Sequence, residues 1–158
     1  MDGSVGAGLM EADGGAKRRR ARGDEVNEHA ATAGAQALSA LGNNVSIARM
    51  NDVIWEGCET MSDADRAWAT DTQIAVLPWS SQGRGFFTPL AGREKRDNEE
   101  IGRVWCSEDN FRRKDRAAGL AADRGVAEIN IALAWVLAQP YPTFPLIGPR
   151  NPAELASS

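Results

Sequence analysis

The sequence has very few of the residues that bind metals or act as nucleophiles and acids. Its 158 residues include one histidine, His29, two cysteines, Cys58 and Cys106, and one tyrosine, Tyr141. A structural zinc site needs four Cys or His ligands, so three such residues in all exclude it. The two cysteines are too far apart in the chain to form a CxxC redox pair. A single histidine, with no Ser or Cys partner near it in sequence, also argues against a hydrolytic nucleophile.

Long apolar runs and a strong imbalance of charge are absent as well. No stretch approaches the roughly 18 consecutive apolar residues that a membrane-spanning helix needs. The formal net charge of −4 argues against nucleic acid or an anionic membrane as the main partner. The first residues lack the basic and apolar segments of a secretory signal, which predicts a cytoplasmic protein with reduced cysteines.

The length and the composition together divide the chain into two parts. At 158 residues it reaches the upper range of one ordinary domain, but a complete eight-stranded α/β barrel typically needs about 250. Residues 1–22 are rich in Gly and Ala, contain the basic cluster at 17–22 and show no hydrophobic period. This composition predicts a disordered tail, with a nucleic-acid or localisation patch as the alternative for the basic cluster. Residues 23–158 are expected to form the folded domain.

From residue 24 onward, segments typical of helices alternate with segments typical of strands, which predicts parallel βα units. The apolar run at 74–77 is typical of a parallel strand that is covered on both faces. The helix at 126–138 is apolar almost all round and is expected to be buried on most sides. The polar stretch at 80–100 is expected to lie outside the core. The predicted helices are 24–33, 62–70, 107–123 and 126–138, and the predicted strands are 37–41, 73–79 and 144–147.

Two turns between a strand and a helix could bind an anion. Residues 79–85 combine a tryptophan, two serines, two glycines and an arginine at the carboxyl end of the best strand, where parallel sheets bind ligands. Residues 148–152 lead into a helix that Asn151 would cap, and Arg150 adds a planar guanidinium suited to a phosphate. The alternatives are a polar loop beside a buried tryptophan and a well-capped terminal helix with an exposed arginine. The other tryptophans (Trp55, Trp68, Trp105 and Trp135) are expected to serve packing.

Three ordered motifs resemble the C-terminal part of the aldo/keto reductase family. They are residues 78–87 (PWSSQGRGFF), 130–137 (NIALAWVL) and 146–152 (LIGPRNP). The likeness extends back through residues 44–49 (NVSIAR) and, more faintly, to residue 24. It therefore implies a (β/α)8 TIM barrel of which this chain holds the C-terminal half: the fifth helix, strands six to eight and the helices between them.

The resemblance also implies a function for both turns. The family reduces aldehydes and ketones by hydride transfer from NADPH without a metal. By this likeness Trp79 stacks on the nicotinamide ring, and three residues of the next loop line the pyrophosphate. The turn at 148–150 holds the adenosine 2′-phosphate, and Glu154 lies near the adenine. The implied cofactor-binding residues are Trp79, Ser80, Gln82, Arg84, Gly148, Pro149, Arg150 and Glu154.

The chain departs from the family pattern in its catalytic groups. The family's Asp, Tyr, Lys and His tetrad lies on the first four strands, which have no counterpart in this sequence. Neither Tyr141 nor His29 matches a tetrad position, and Gly42 replaces the glutamine that holds the nicotinamide carboxamide. We therefore expect an incomplete barrel that is inactive alone, with a chain that supplies the missing strands as a candidate partner. The alternatives are a non-enzymatic binding or interaction fragment and a non-functional gene remnant.

Overall fold

The computed structural model describes residues 13–16, 20–95 and 97–158, and these form a mixed α/β structure. Residues 1–12 and 17–19, which belong to the predicted tail, lie outside the described residues. Within that tail Asp13–Ala16 forms a strand, and the first helix begins at Arg20 rather than after residue 23. The elements in chain order are β1 (Asp13–Ala16), α1 (Arg20–Ala33), β2 (Leu38–Gly42), α2 (Asp63–Thr72), β3 (Ala75–Val76), a 3₁₀ turn (Gly83–Gly85), α3 (Glu99–Trp105), α4 (Glu108–Arg124), α5 (Glu128–Leu137) and α6 (Pro152–Ala156).

The strands form a small parallel sheet in the order β1-β2-β3, which confirms the predicted α/β class. The segment 142–146 extends the sheet beside β3. The amide of Phe144 donates to the carbonyl oxygen of Val76 at 2.8 Å, and the amide of Leu146 donates to that of Pro78 at 2.8 Å. This segment therefore runs parallel to β3, and the carboxyl ends of β2, β3 and this segment share one edge of the sheet. It makes only an isolated bridge, between Val76 and Thr143, so the regular strand predicted at 144–147 does not form.

β3 is much shorter than the predicted strand at 73–79. Helix α2 continues to Thr72, and its C-cap Gln73 takes a left-handed backbone with φ of 54°. At the other end Pro78 has no amide hydrogen and cannot donate to a neighbouring strand. The helix end and the proline together leave only Ala75 and Val76 in regular strand pairing.

The predicted capping residues do begin and end the helices. The side chains of Ser62, Ser107 and Asn151 accept hydrogen bonds from the first turns of α2, α4 and α6. Gly125 ends α4 with φ of 64°, a left-handed conformation that glycine adopts without a steric penalty. Local sequence therefore predicts the helix boundaries better than the strand boundaries.

The expectation that residues 80–100 lie outside the core is wrong. The first hydrophobic cluster of the protein includes Leu41 of β2, Val76 of β3 and Tyr141. Phe86 and Phe87 are fully buried, and they pack with Trp105 and Phe111 in a second hydrophobic cluster between this loop, α3 and α4. The ring centroids of Phe86 and Phe111 lie 5.6 Å apart. The many charged residues of the stretch obscure this short aromatic segment in the sequence, and the loop folds back so that the segment is buried beside α4.

Two further packing expectations need correction. Helix α5 buries only Ala132 and Val136 fully, and Leu137 is 55% exposed, so one face packs rather than most of the surface. Trp55 is 45% exposed and lies outside both hydrophobic clusters, so packing does not explain it. The expectation is confirmed for the other three tryptophans: Trp68 and Trp105 are buried, and Trp135 packs against the first cluster. None of the described helices is long and apolar enough to cross a membrane.

Candidate functional site

The carboxyl ends of the parallel strands are joined by side-chain hydrogen bonds at one edge of the sheet. The Asn44 amide nitrogen Nδ2 donates to the carbonyl oxygen of Trp79 at 2.9 Å. The indole Nε1 of Trp79 donates to the carbonyl oxygen of Gly42 at 3.0 Å. Asn44 is fully buried, so these contacts fix Trp79 relative to β2. The predicted nicotinamide-stacking residue thus has a defined orientation at the edge where ligands of parallel sheets bind.

A second tryptophan covers part of Trp79. The ring centroids of Trp55 and Trp79 are 5.7 Å apart, and the ring planes are inclined by 30°, which is a stacked arrangement. Sequence reasoning missed this role because Trp55 was assigned to packing. The sequence offers no clear signal for this contact, because Val53 and Ile54 directly precede Trp55 and make the segment look like part of a core.

The loop after Trp79 has an unusual backbone. Ser80 has φ of 53° and Arg84 has φ of 50°, and two of the three described non-glycine residues with positive φ therefore lie in this loop. Gly83 also has positive φ, and a Cβ there would lie 3.0 Å from the Cβ of Phe86. Backbone strain of this kind is common in ligand-binding loops. The burial of Phe86 and Phe87 in the second hydrophobic cluster stabilises the loop in this conformation.

Two of the predicted loop residues are in very different environments. The Gln82 side-chain nitrogen Nε2 is buried and has no hydrogen-bond partner among the described residues, which leaves one polar group of the loop unsatisfied. Arg84 is exposed, and its Nε donates to Glu100 Oε1 of α3 at 2.6 Å. Glu100 was not predicted as a site residue. Its ion pair holds Arg84 against α3, and an anion at this loop would have to share the guanidinium with that carboxylate.

The second predicted turn is held by an ion pair of its own. Arg150 Nη2 lies 2.6 Å from Glu154 Oε1, and the Arg150 amide also donates to Glu154 Oε2 at 2.8 Å. These hydrogen bonds keep the pKa of Glu154 below its ordinary value and raise that of Arg150. The Arg150 side chain is 82% exposed, so its remaining donors face solvent. Gly148 and Pro149, the other residues of this turn, directly follow the segment that pairs with β3.

The chain's tyrosine and histidine lie away from this edge. Tyr141 directly precedes the segment 142–146, so it lies at the amino end of the sheet, and it is 4% exposed within the first hydrophobic cluster. Burial raises the pKa of its hydroxyl, which has no hydrogen-bond partner among the described residues. His29 is exposed on α1. In the described part of the chain no group of three His, Cys, Asp or Glu side chains is placed to hold a metal ion.

Two clefts of the described structure do not include the predicted cofactor-binding residues. One, of about 300 Å³, is lined by both polar and apolar residues, among them Ser46, Arg49 and Met61. The other, of about 470 Å³, lies between α4 and α5 and is mostly apolar, with Leu120 and Trp135 in its wall. The candidate site is therefore an open edge of the sheet rather than either of these clefts.

The fold and the site define a parallel α/β protein with a candidate ligand site at the carboxyl edge of its sheet. The model of the aldo/keto reductase family matches residues 58–158, which is well over half of the chain. The chain belongs to the aldo/keto reductase family. It is also similar to the uncharacterized oxidoreductase YrpG of Bacillus subtilis (strain 168), with 32% identity over 87 residues. That match covers 55% of this chain but 27% of the relative, so the chain spans well under half the length of the curated relative it matches.

Proposed function

We propose that residues 23–158 are the cofactor-binding part of an NADPH-dependent aldo/keto reductase and correspond to the C-terminal half of its (β/α)8 barrel. The observation that carries this proposal is the position of Trp79 and the Gly148–Arg150 turn, which follow neighbouring parallel segments at one edge of the sheet. The hydrogen bond from the amide of Leu146 to the carbonyl oxygen of Pro78 supports this shared edge, because it joins the two chain segments immediately before Trp79 and the 148–150 turn. Membership of the family supports a nicotinamide cofactor, and the similarity to an oxidoreductase supports a place in that class of enzymes.

The residues present fit such a cofactor in their chemistry. Trp79 offers a partly exposed, fixed aromatic ring, the unsatisfied Gln82 Nε2 offers a hydrogen-bond donor, and the exposed donors of Arg150 suit a phosphate. NADPH, when bound, supplies the hydride for reduction of an aldehyde or ketone. In this proposal the chain's own residues bind and orient the cofactor. Trp79 lies against the nicotinamide, and Ser80, Gln82 and Arg84 lie along the pyrophosphate. Gly148, Pro149 and Arg150 hold the 2′-phosphate, and Glu154 lies near the adenine.

We further propose that the 158-residue chain alone is catalytically inactive. A carbonyl reduction needs a proton donor beside the substrate, and Tyr141 is buried at the opposite end of the sheet from Trp79. Phe144 and Leu146, in the segment 142–146 beside β3, are also more than half exposed. Further barrel strands, from another chain or another part of the same protein, would cover that surface. We also propose a cytoplasmic location, in which both cysteines stay reduced.

Binding and turnover by the purified 158-residue protein test this function separately. We expect weak saturable binding of NADPH, tighter than that of NADH, because only NADPH carries the 2′-phosphate that Arg150 would contact. Arg150→Ala should remove this preference and leave NADH binding unchanged. Lys95→Ala, which removes a cation in a different loop, is the control. No oxidation of NADPH with common aldehydes is expected. Equal binding of both cofactors would contradict the assigned phosphate turn, and measurable turnover would contradict the proposed inactivity.

A further inference from the structure

Trp55 contacts the ring that the proposed function assigns to the nicotinamide. Its indole stacks on that of Trp79 with a centroid distance of 5.7 Å. Trp79 is held at two other points, by its Nε1 donor to Gly42 and by the Asn44 donor to its carbonyl oxygen. The edge and the main chain of Trp79 are thus fixed, and Trp55 covers one of its two faces.

The segment that carries Trp55 is itself anchored. The amide of Cys58 donates to the carbonyl oxygen of Trp55 at 3.1 Å, and Gly57 takes φ of 79° inside this turn. Cys58 is buried, while Trp55 remains 45% exposed. A tryptophan ring that is nearly half exposed and stacks on the ring of Trp79 is therefore placed beside the loop to which the proposed function assigns the cofactor.

We propose that Trp55 is a positioning residue of the nicotinamide site. It occupies one face of Trp79, so that a planar ring can stack only on the opposite face, and it keeps the Trp79 indole from turning. This inference rests on the proposed binding of a nicotinamide cofactor at Trp79. It adds a specific role for a residue of the loop after β2.

The test compares NADPH with adenosine 2′,5′-bisphosphate, a probe that has the adenosine and 2′-phosphate but no nicotinamide. Both are titrated into the ¹⁵N-labelled 158-residue protein while the backbone amide signals of residues 148–158 and the tryptophan indole signals are followed by NMR. We expect Trp55→Ala to weaken NADPH binding roughly three- to tenfold, which is the contribution of an aromatic pair. Binding of the bisphosphate should not change. Trp55→Phe, which keeps an aromatic face, should restore most of the NADPH affinity.

The wild-type titration separates failure of this inference from failure of the proposed function. If neither probe shifts any signal of the wild-type protein, the proposed cofactor site is wrong and the role of Trp55 falls with it. If NADPH binds the wild type and Trp55→Ala equally well, the cofactor site stands and the positioning role is overturned. If Trp55→Ala loses both probes equally, Trp55 supports the fold of the whole edge, and the specific role is again overturned. Unchanged indole signals of Trp68, Trp105 and Trp135, which lie outside the Trp55–Trp79 pair, check that each variant is folded.

Discussion

The indole Nε1 of Trp79 donates to the main-chain carbonyl oxygen of Gly42, 3.0 Å away, and so ties the ends of β2 and β3 together. Gly42 stands where the family resemblance places a glutamine side chain. In this chain position 42 contributes only its main-chain carbonyl oxygen to the site, and that oxygen accepts the hydrogen bond from Trp79.

Removing the indole donor of Trp79 should lower the stability of the protein. We expect Trp79→Phe to reduce the free energy of unfolding by about 1 kcal/mol, the usual net contribution of a hydrogen bond, in addition to a smaller loss of ring contact. Urea unfolding followed by circular dichroism measures this. Trp135→Phe is the control, because Trp135 is partly buried like Trp79 and its Nε1 makes no hydrogen bond to the described residues, so this variant should lose only ring contact. A Trp79→Phe variant as stable as the wild type would contradict the link.

The two phenylalanines of the loop after Trp79 should be essential for its shape. Phe86→Ala is expected to destabilise the protein by about 3–5 kcal/mol, because the side chain is fully buried and its removal leaves a cavity. Leu90→Ala, in the same loop but 52% exposed, should change stability by no more than about 0.5 kcal/mol. Thermal unfolding of both variants makes the comparison. Similar melting temperatures for the two would show that the loop is not anchored by Phe86.

The sequence predicts those parts of the fold that short-range chemistry determines. Caps at Ser62, Ser107 and Asn151 and the stop at Gly125 follow from neighbouring residues, and the structure contains all four. The burial of Phe86 and Phe87 could not be predicted in the same way, because it depends on a loop folding back over α4. The exposure of Leu137 likewise depends on which elements lie beside α5, and the apolar pattern of a helix does not state this.

The candidate site shows the same division. The family resemblance and the ends of the predicted strands singled out Trp79 and Arg150 as candidate site residues. The same reasoning gave no indication that Glu100 would pair with Arg84, since these residues are far apart in the chain and meet only through the position of α3. The stacking of Trp55 on Trp79 was missed for the same reason. Contacts between separate loops carry no short-range signal.

A single lysine should hold the loop onto α4. Lys114 Nζ donates to the carbonyl oxygens of Thr88 and Ala91 at 2.7 and 2.8 Å, and desolvation lowers the pKa of this amine. We expect Lys114→Met to destabilise the protein by about 1.5–3 kcal/mol, because two carbonyl groups lose a charged donor. Hydrogen exchange of residues 88–95 should accelerate in the variant. Arg112→Met, on an exposed position of the same helix, should change neither quantity, and equal effects of both variants would contradict the assigned role of Lys114.

Acid should release the turn that holds Arg150. The pKa of Glu154 is lowered in the folded protein by its hydrogen bonds with Arg150, so the ionised pair favours the folded turn above the ordinary range of a glutamate. That contribution is lost as the pH falls through the lowered pKa. We therefore expect the amide signals of α6 and of Arg150 to move toward random-coil positions below about pH 4, where a free glutamate is protonated as well.

An NMR titration of the Glu154 side-chain carboxyl carbon measures this pKa directly. Arg150→Ala removes the partner and should return the pKa of Glu154 toward its ordinary value, with the change in the α6 amides moving to the same higher pH. Glu154→Gln should remove the part of the acid-dependent change of α6 that the Arg150–Glu154 pair causes, leaving the titration of the Ser158 α-carboxylate. Asp115, whose pKa is lowered by Arg93, is the internal control and should titrate unchanged in both variants. A Glu154 pKa that does not respond to Arg150→Ala would show that the ion pair does not hold this turn in solution.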